Sequence, residues 1–333
     1  MKSNPLKSFA KELGCNVNEI IDFYSNINFL KPKVNFDFNA LDISLYPTYE
    51  KLYKKIAHNY QIKVSELELY NGGSAAIYAL LKYLNLDDCV IYTPTSLQYK
   101  KACQHFGYKL HTINRFENIF LPVKKGALII FANPSIPDGT YYDMYELMKY
   151  WISQECTIII DESFLEFCEG TSVFEYLSLY ERLYILKSMS KFYSSAGIRI
   201  AALISTQMNI KKLKEIEPSW KLSQFDSHYL QIALEDNSFK KISKAVITKN
   251  RIELEKILQN SSCVEFIYES SSNYVLVKLK SITVKTLQEK LKKHKILIRD
   301  CTLFDGMDES FACFSVKSSQ EIMILKEAMD FKC

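Results

Sequence analysis

The sequence predicts an α/β fold: a mostly parallel central sheet flanked by helices, with a smaller α+β unit at the C-terminal end. Three observations carry this. First, short apolar runs recur: "CVIYTP", "ALIIFANP", "TIIIDESF", "RLYILKS" and "IAALIS". They are too short for helices and apolar throughout, as strands buried on both faces are. Second, amphipathic stretches such as "SLQYKKACQHFG" and "YDMYELMKYWISQ" follow the runs and are long enough for crossover helices. Third, the pattern changes near Asn237. A long helical stretch, "SFKKISKAVITKNRIELEKILQN", is followed by "NYVLVKL", the helical "VKTLQEKLKKH", "ILIRDC", "FACFSV" and a last helix. The organisation expected is an N-terminal segment over residues 1–40, a large unit over 41–236 and a small one over 237–333.

Composition narrows the function classes. At 333 residues, with 48% hydrophobic and 24% charged residues, the chain can bury one large core and a smaller one. A net charge of +4 gives no drive toward nucleic acid or an anionic membrane. The nine cysteines form no Cys-x-x-Cys pair, and the nearest two of the five histidines are His105 and His111, so no metal site is expected. Scattered thiols suit a reducing compartment. The N-terminal "MKSNPLKSFAKELG" lacks the apolar stretch of a signal peptide, and no apolar run has the length of a membrane span. A soluble, cytoplasmic protein is the expectation.

In open α/β sheets ligands sit at the carboxyl ends of the strands. The residues to weigh there are Asn71-Gly72-Gly73-Ser74, Asn133-Pro134, Asp161-Glu162 and Ser188 to Lys191. Gly73 and Ser74 stand where a strand gives way to a helix, and helix N-termini bind anions. Alone, "NGGS" is a plain tight turn. Ser188 and Ser190 add hydroxyls, and Arg199 adds a fork suited to phosphate. Asp161 closes the apolar "CTIIID", where a carboxylate is paired, functional or a helix cap. Lys191 follows an apolar strand. A lysine shielded from water has a lowered pKa and attacks aldehydes. An aldehyde bearing a phosphate and a basic ring nitrogen is pyridoxal phosphate, which needs a Schiff-base lysine and an acidic partner for its nitrogen. Lys191 and Asp161 suit those roles.

These residues resemble the pyridoxal-phosphate enzymes of fold type I, the class I/II aminotransferases, and within them histidinol-phosphate aminotransferase and threonine-phosphate decarboxylase. The signature Ser-x-[Ser/Thr]-Lys with a following Gly-x-Arg is met by Ser188, Ser190, Lys191, Gly197 and Arg199. Asp161, Glu162, Ser163 and Phe164 match Asp-Glu-x-[Phe/Tyr]. "IIDFYSNINFLKPK", "EPSWKLSQ" and "ILIRDCTLFDGM" are similar to the decarboxylase branch, and "SLYPTYEKLYKKIA" to the Tyr-Pro-Asp segment. The resemblance implies a homodimer with shared active sites, in which Tyr46 reaches the cofactor phosphate of the second subunit. It implies that Lys191 and Asp161 are catalytic, and that Gly73, Ser74, Ser188, Ser190 and Arg199 hold the phosphate. Asn26, Asn28, Asn273 and Arg299 become the substrate-side candidates. The expected activity is amino transfer on a small, phosphorylated amine or amino acid. The alternatives are decarboxylation of a phosphorylated amino acid and, less favoured, a non-catalytic relative.

Four positions depart from the resemblance. Ile136, in "NPSIPDG", stands where an asparagine usually bonds the cofactor's ring hydroxyl, and Phe164 has no hydroxyl to replace it. Losing such a contact costs about 1–3 kcal/mol. Asn133, with Ser135, is the nearest replacement. Ser96 stands where an aromatic ring usually stacks on the cofactor, with Tyr99 the nearest aromatic to take over. Cys313 stands where an arginine usually binds the substrate carboxylate, which leaves Arg299. The N-terminal His-Gly-Gly of the decarboxylase type is absent from the sequence.

Overall fold

The computed structural model describes residues 4–331. The apolar runs form the centre of a seven-stranded sheet. Its strands in chain order are β1 (Leu67–Tyr70), β2 (Asp88–Thr93), β3 (Lys109–Asn114), β4 (Leu128–Ala132), β5 (Thr157–Asp161), β6 (Leu183–Ser188) and β7 (Ala201–Ile204). The spatial order is β1-β7-β6-β5-β4-β2-β3. β2 to β6 pair in parallel, and β7 is antiparallel to both β6 and β1. Every residue of β4, β5, β6 and β7 is buried, which is why their sequences are continuous rather than alternating. β3 is an edge strand with exposed and half-buried positions, so "KLHTIN" lacks the apolar density of the other strands.

Helices Gly73–Leu84 and Leu97–His105 pack on one face of this sheet, and Tyr145–Ser153 packs with Trp151 in the core of the other. One crossover differs from the sequence expectation. Between β5 and β6 the chain makes two 3-10 segments, Leu165–Phe167 and Val173–Ser178, and no α-helix. Glu162 holds the start of this crossover. Its buried carboxylate accepts hydrogen bonds from Val173 N (3.0 Å) and Ser172 Oγ (2.6 Å) and pairs with buried Lys187 at 2.5 Å. These bonds fix residues 172 and 173 against the end of β5.

A second sheet, wholly antiparallel, runs Arg299–Asp300, Phe311–Ser315, Tyr274–Leu279, Val264–Ile267. Helices Asn237–Gln259, Val284–Leu291 and Ser319–Ala328 accompany it. The N-terminal segment joins this part, with Ile21–Asp22 pairing in parallel with Ile296–Leu297. "ILIRDC" is therefore two short strands serving different partners.

The loop after β4, residues 133–139, is locked by a buried ion pair. Arg115 donates to both carboxylate oxygens of Asp138, with its side chain 1% exposed, and also to the carbonyls of Pro94 and Ile136, each at 3.1 Å. Ser135 Oγ adds a bond to Asp138 at 2.8 Å. Gly139, at φ +85°, meets the second sheet's leading loop so closely that a Cβ would lie 2.2 Å from Ser270 Oγ. Removing one member of a buried pair strands the other charge. Asp138→Asn is therefore expected to lower stability by about 3–5 kcal/mol, measured as a shift of the urea midpoint. A loss under 1 kcal/mol (about one surface ion pair) would show that the pair is not what holds this loop.

Candidate active site

The carboxyl ends of β4, β5 and β6 open into a cavity of about 340 Å³ shared with the N-terminal segment and the second sheet. Each expected strand-end residue reaches it by its position in the ladder. Asp161 lies between Ala132 and Leu186 in the registers of β5 with β4 and β6. Lys191 sits in the short helix Met189–Phe192 directly after β6. Its Nζ donates to Ser188 Oγ at 3.0 Å, and it stands 5.5 Å from the centre of the Phe164 ring. The Lys191 amine is held below its ordinary pKa of 10.5. Burial is the main cause, Asp161 opposes it, and the Arg199 charge adds to it.

Asp161 is buried and held from two sides. Its Oδ1 accepts from Ser163 N at 2.9 Å, and its Oδ2 accepts a short hydrogen bond from Tyr99 Oη. Burial and the neighbouring carboxylate raise the Tyr99 pKa well above 10, so its phenol stays a donor. Tyr99 thus orients Asp161, while Ser96, which stands in the place of the usual stacking ring, caps helix Leu97–His105 through Gln98 N.

The anion-binding parts converge as well. Gly73 and Ser74 line the cavity at the first turn of helix Gly73–Leu84, whose leading N–H groups have no intrahelical acceptor. Arg199 lies across Gly72, where a Cβ would come 2.3 Å from Nη2, and it has no carboxylate partner among the described residues. Ser190 is not on the cavity wall. It supports Arg199 from behind, accepting from Nη1 at 3.4 Å. A lowered lysine amine, an oriented carboxylate and a helix N-terminus beside an uncompensated guanidinium fit pyridoxal phosphate.

Several expected residues are placed differently. Asn133 is 1% exposed, bonds the backbone of Tyr142 through both polar atoms, at 2.9 and 3.0 Å, and does not line the cavity. Asn28 and Asn273 are also buried outside the cavity wall. Asn28 donates to Phe192 O at 2.9 Å and to Ser243 Oγ at 2.5 Å, and Asn273 donates to Asn26 O at 2.8 Å. With Lys317 Nζ on Ser25 O at 3.0 Å, these bonds fix the segment that brings Tyr24 and Asn26 to the wall. Tyr46, expected at the cofactor of a second subunit, does not line this chain's cavity; it is 74% exposed and stacked on Trp220 with ring centres 4.2 Å apart.

Arg299 does line the cavity. It is the cross-strand partner of Cys313, and its guanidinium lies 5.6 Å from the Tyr24 ring and 5.1 Å from the Phe304 ring. It has no ion pair among the described residues. Sequence reading quoted Gly72, Ser163, Tyr24 and Phe304 within its motifs and segments but gave none of them a role at the site. Among the described residues no cluster suits a metal ion, and no helix is long and apolar enough to cross a membrane.

The pH dependence of capture checks the electrostatics. The rate at which the cofactor-free protein captures pyridoxal phosphate on Lys191 is expected to rise with pH and level off below the ordinary lysine value of 10.5. Asp161 stabilises the ammonium, so Asp161→Asn moves the midpoint further down. A midpoint at the ordinary value, or an upward move, contradicts the geometry.

Comparison with known proteins agrees with this site. The family "Aminotransferase class I and II" matches residues 37–322. The adenosylcobalamin biosynthesis bifunctional protein CobDQ of Leptospira interrogans is 29% identical over 95% of this chain, which spans only 39% of that protein. The histidinol-phosphate aminotransferase structure from Clostridium acetobutylicum superposes with a TM-score of 0.83 at 25% identity, covering 93% of this chain and 98% of that one. The L-threonine-O-3-phosphate decarboxylase structure from Porphyromonas gingivalis, 19% identical, has the same fold (TM-score 0.81; 93% and 98% covered). This chain belongs to the class I and II aminotransferases, whose cofactor is pyridoxal 5'-phosphate.

Proposed function

We propose that this chain is a pyridoxal-phosphate-dependent aminotransferase acting on a small phosphorylated amine or amino acid. The carrying observation is the Lys191 amine, held below its ordinary pKa and facing Asp161 and Arg199 in one cavity. The cofactor, when bound, supplies an electron sink for the bond broken at the substrate α-carbon. Lys191 is the attachment point and the base that takes the α-proton and returns it. Asp161, oriented by Tyr99 and Ser163 N, keeps a proton on the ring nitrogen. Gly73, Ser74, Ser188 and Arg199 hold the phosphate, with Ser190 behind Arg199. Asn26 and Arg299 serve the substrate side, and the free guanidinium suits a carboxylate or phosphate. The histidinol-phosphate aminotransferase likeness supports a phosphorylated substrate.

A second subunit completes this reading. Ile43 (65%), Leu45 (70%) and Tyr46 stand exposed along one stretch of chain, and Tyr46 stacks on exposed Trp220 (58%), apolar surface of the kind that subunits cover. In a homodimer Tyr46 would serve the neighbouring cofactor phosphate.

Decarboxylation is the second reading, favoured by the 27% identity, over 92% of this chain, to a putative threonine-phosphate decarboxylase of Caldanaerobacter subterraneus. An amino donor given alone separates the two. A transaminase bleaches the visible band of the bound cofactor and releases a keto product, whereas a decarboxylase releases carbon dioxide with no keto acceptor. Lys191→Ala is expected to abolish either. Arg299→Gln is expected to raise KM for the phosphorylated substrate about 10- to 100-fold, a charge-assisted contact being worth about 1.5–3 kcal/mol, with cofactor affinity unchanged. Mixing Lys191→Ala with Tyr46→Ala protein is expected to restore activity, since one hybrid site then holds neither change. Failure of every mixture to exceed its parents would refute shared sites.

A further inference from the structure

Five buried side chains, Asn59, Glu68, Tyr70, Ser163 and Tyr193, carry a polar atom with no hydrogen-bond partner among the described residues, and of these Ser163 alone lines the active-site cavity. Ser163 is 4% exposed, and its own N–H is committed to Asp161. A buried hydroxyl without a partner carries a desolvation cost that a bound group can relieve. Its surroundings say which group. Pyridoxal phosphate has a ring nitrogen and, para to it, the aldehyde carbon; Asp161 and Lys191 would hold these two ends in the cavity that Ser163 and Phe164 also line. It also has a ring hydroxyl next to the aldehyde carbon, a group that needs a partner once enclosed. Ile136 and Phe164 offer that hydroxyl no polar atom, Asn133 is spent on Tyr142, and Tyr99 is spent on Asp161.

We infer that Ser163 is the residue that hydrogen-bonds the ring hydroxyl of the cofactor, its hydroxyl turning about χ1 to meet it when the ring enters. Ser163 is then a positioning residue with an electronic effect. A donor on the ring oxygen draws off the charge that would otherwise retain the proton on the neighbouring lysine-derived nitrogen, so it lowers that proton's pKa. This role rests on the reading that the cavity holds pyridoxal phosphate on Lys191.

The test compares Ser163→Ala with the wild-type protein, using pyridoxal phosphate and an analogue lacking the ring hydroxyl. Ser163→Ala removes an unpaired hydroxyl, so the cofactor-free protein is expected to melt no lower than wild type. With pyridoxal phosphate the variant is expected to bind about 3- to 30-fold more weakly, and the pH midpoint of its visible band is expected to rise. With the analogue, wild type and variant are expected to bind alike. Ile136→Asn added to Ser163→Ala is expected to recover part of the lost affinity. Equal binding of pyridoxal phosphate by wild type and variant with an unmoved midpoint overturns the inference. So does an equal loss for both ligands, which would mean packing alone. No visible band in wild-type protein would instead overturn the cofactor site itself, a separate outcome.

Discussion

The site depends on one electrostatic constraint: an ammonium that the fold does not let water solvate fully. Lys191 follows a strand buried on both faces, and the burial that stabilises the sheet is what depresses the amine's pKa. Two charges tune the result. Asp161 pulls the proton on and Arg199 pushes it off. Both arrive through backbone that serves the core, Asp161 at the end of β5 and Arg199 two residues before β7. The antiparallel placement of β7 between β6 and β1 is what returns Arg199 to lie over Gly72.

The cavity's outer wall depends on a different kind of interaction. Beyond the short pairing of Asp22 with Leu297, residues 23–30 form no strand; backbone bonds at Phe23 and Asn28 and side-chain bonds to backbone hold them. Asn28 ties them to the lysine-bearing turn, Asn273 and Lys317 to the second sheet. Lys317 is buried and its pKa is lowered, chiefly by that burial, which is a cost the carbonyl of Ser25 partly offsets. The three polar residues serve position, and the residues they position, Tyr24 and Asn26, face the cavity.

Position in the sheet explains how Arg299, proposed for the substrate side, comes to the cavity next to residue 313. Arg299 is the neighbour of Cys313 across the ladder, so both side chains project from one face. The thiol is buried under Pro137, and the guanidinium reaches the cavity flanked by two aromatic rings. The wall is thereby less cationic than two arginines would make it, and more aromatic.

Local chemistry made much of this legible in the sequence. Continuous apolar runs can only be strands covered on both sides, so the sheet and its carboxyl edge followed, and with them Asp161, Ser188, Lys191 and the glycine turn before Ser74. The edge strand β3 and the crossover without a helix did not follow: the first has little apolar content, and the start of the second is held by Glu162 bonding a residue ten positions on. Asparagines were the least legible. Asn26, Asn28, Asn133 and Asn273 share one chemistry, and only the fold decides which amide meets the cavity and which is spent on backbone. Composition and order along the chain determined the sheet, the buried lysine after β6 and the carboxylate that ends β5, because burial and strand ends are local properties. Which hydroxyl was left without a partner, and which arginine without a carboxylate, the tertiary structure alone decided, because satisfaction of a polar group depends on neighbours distant in the chain.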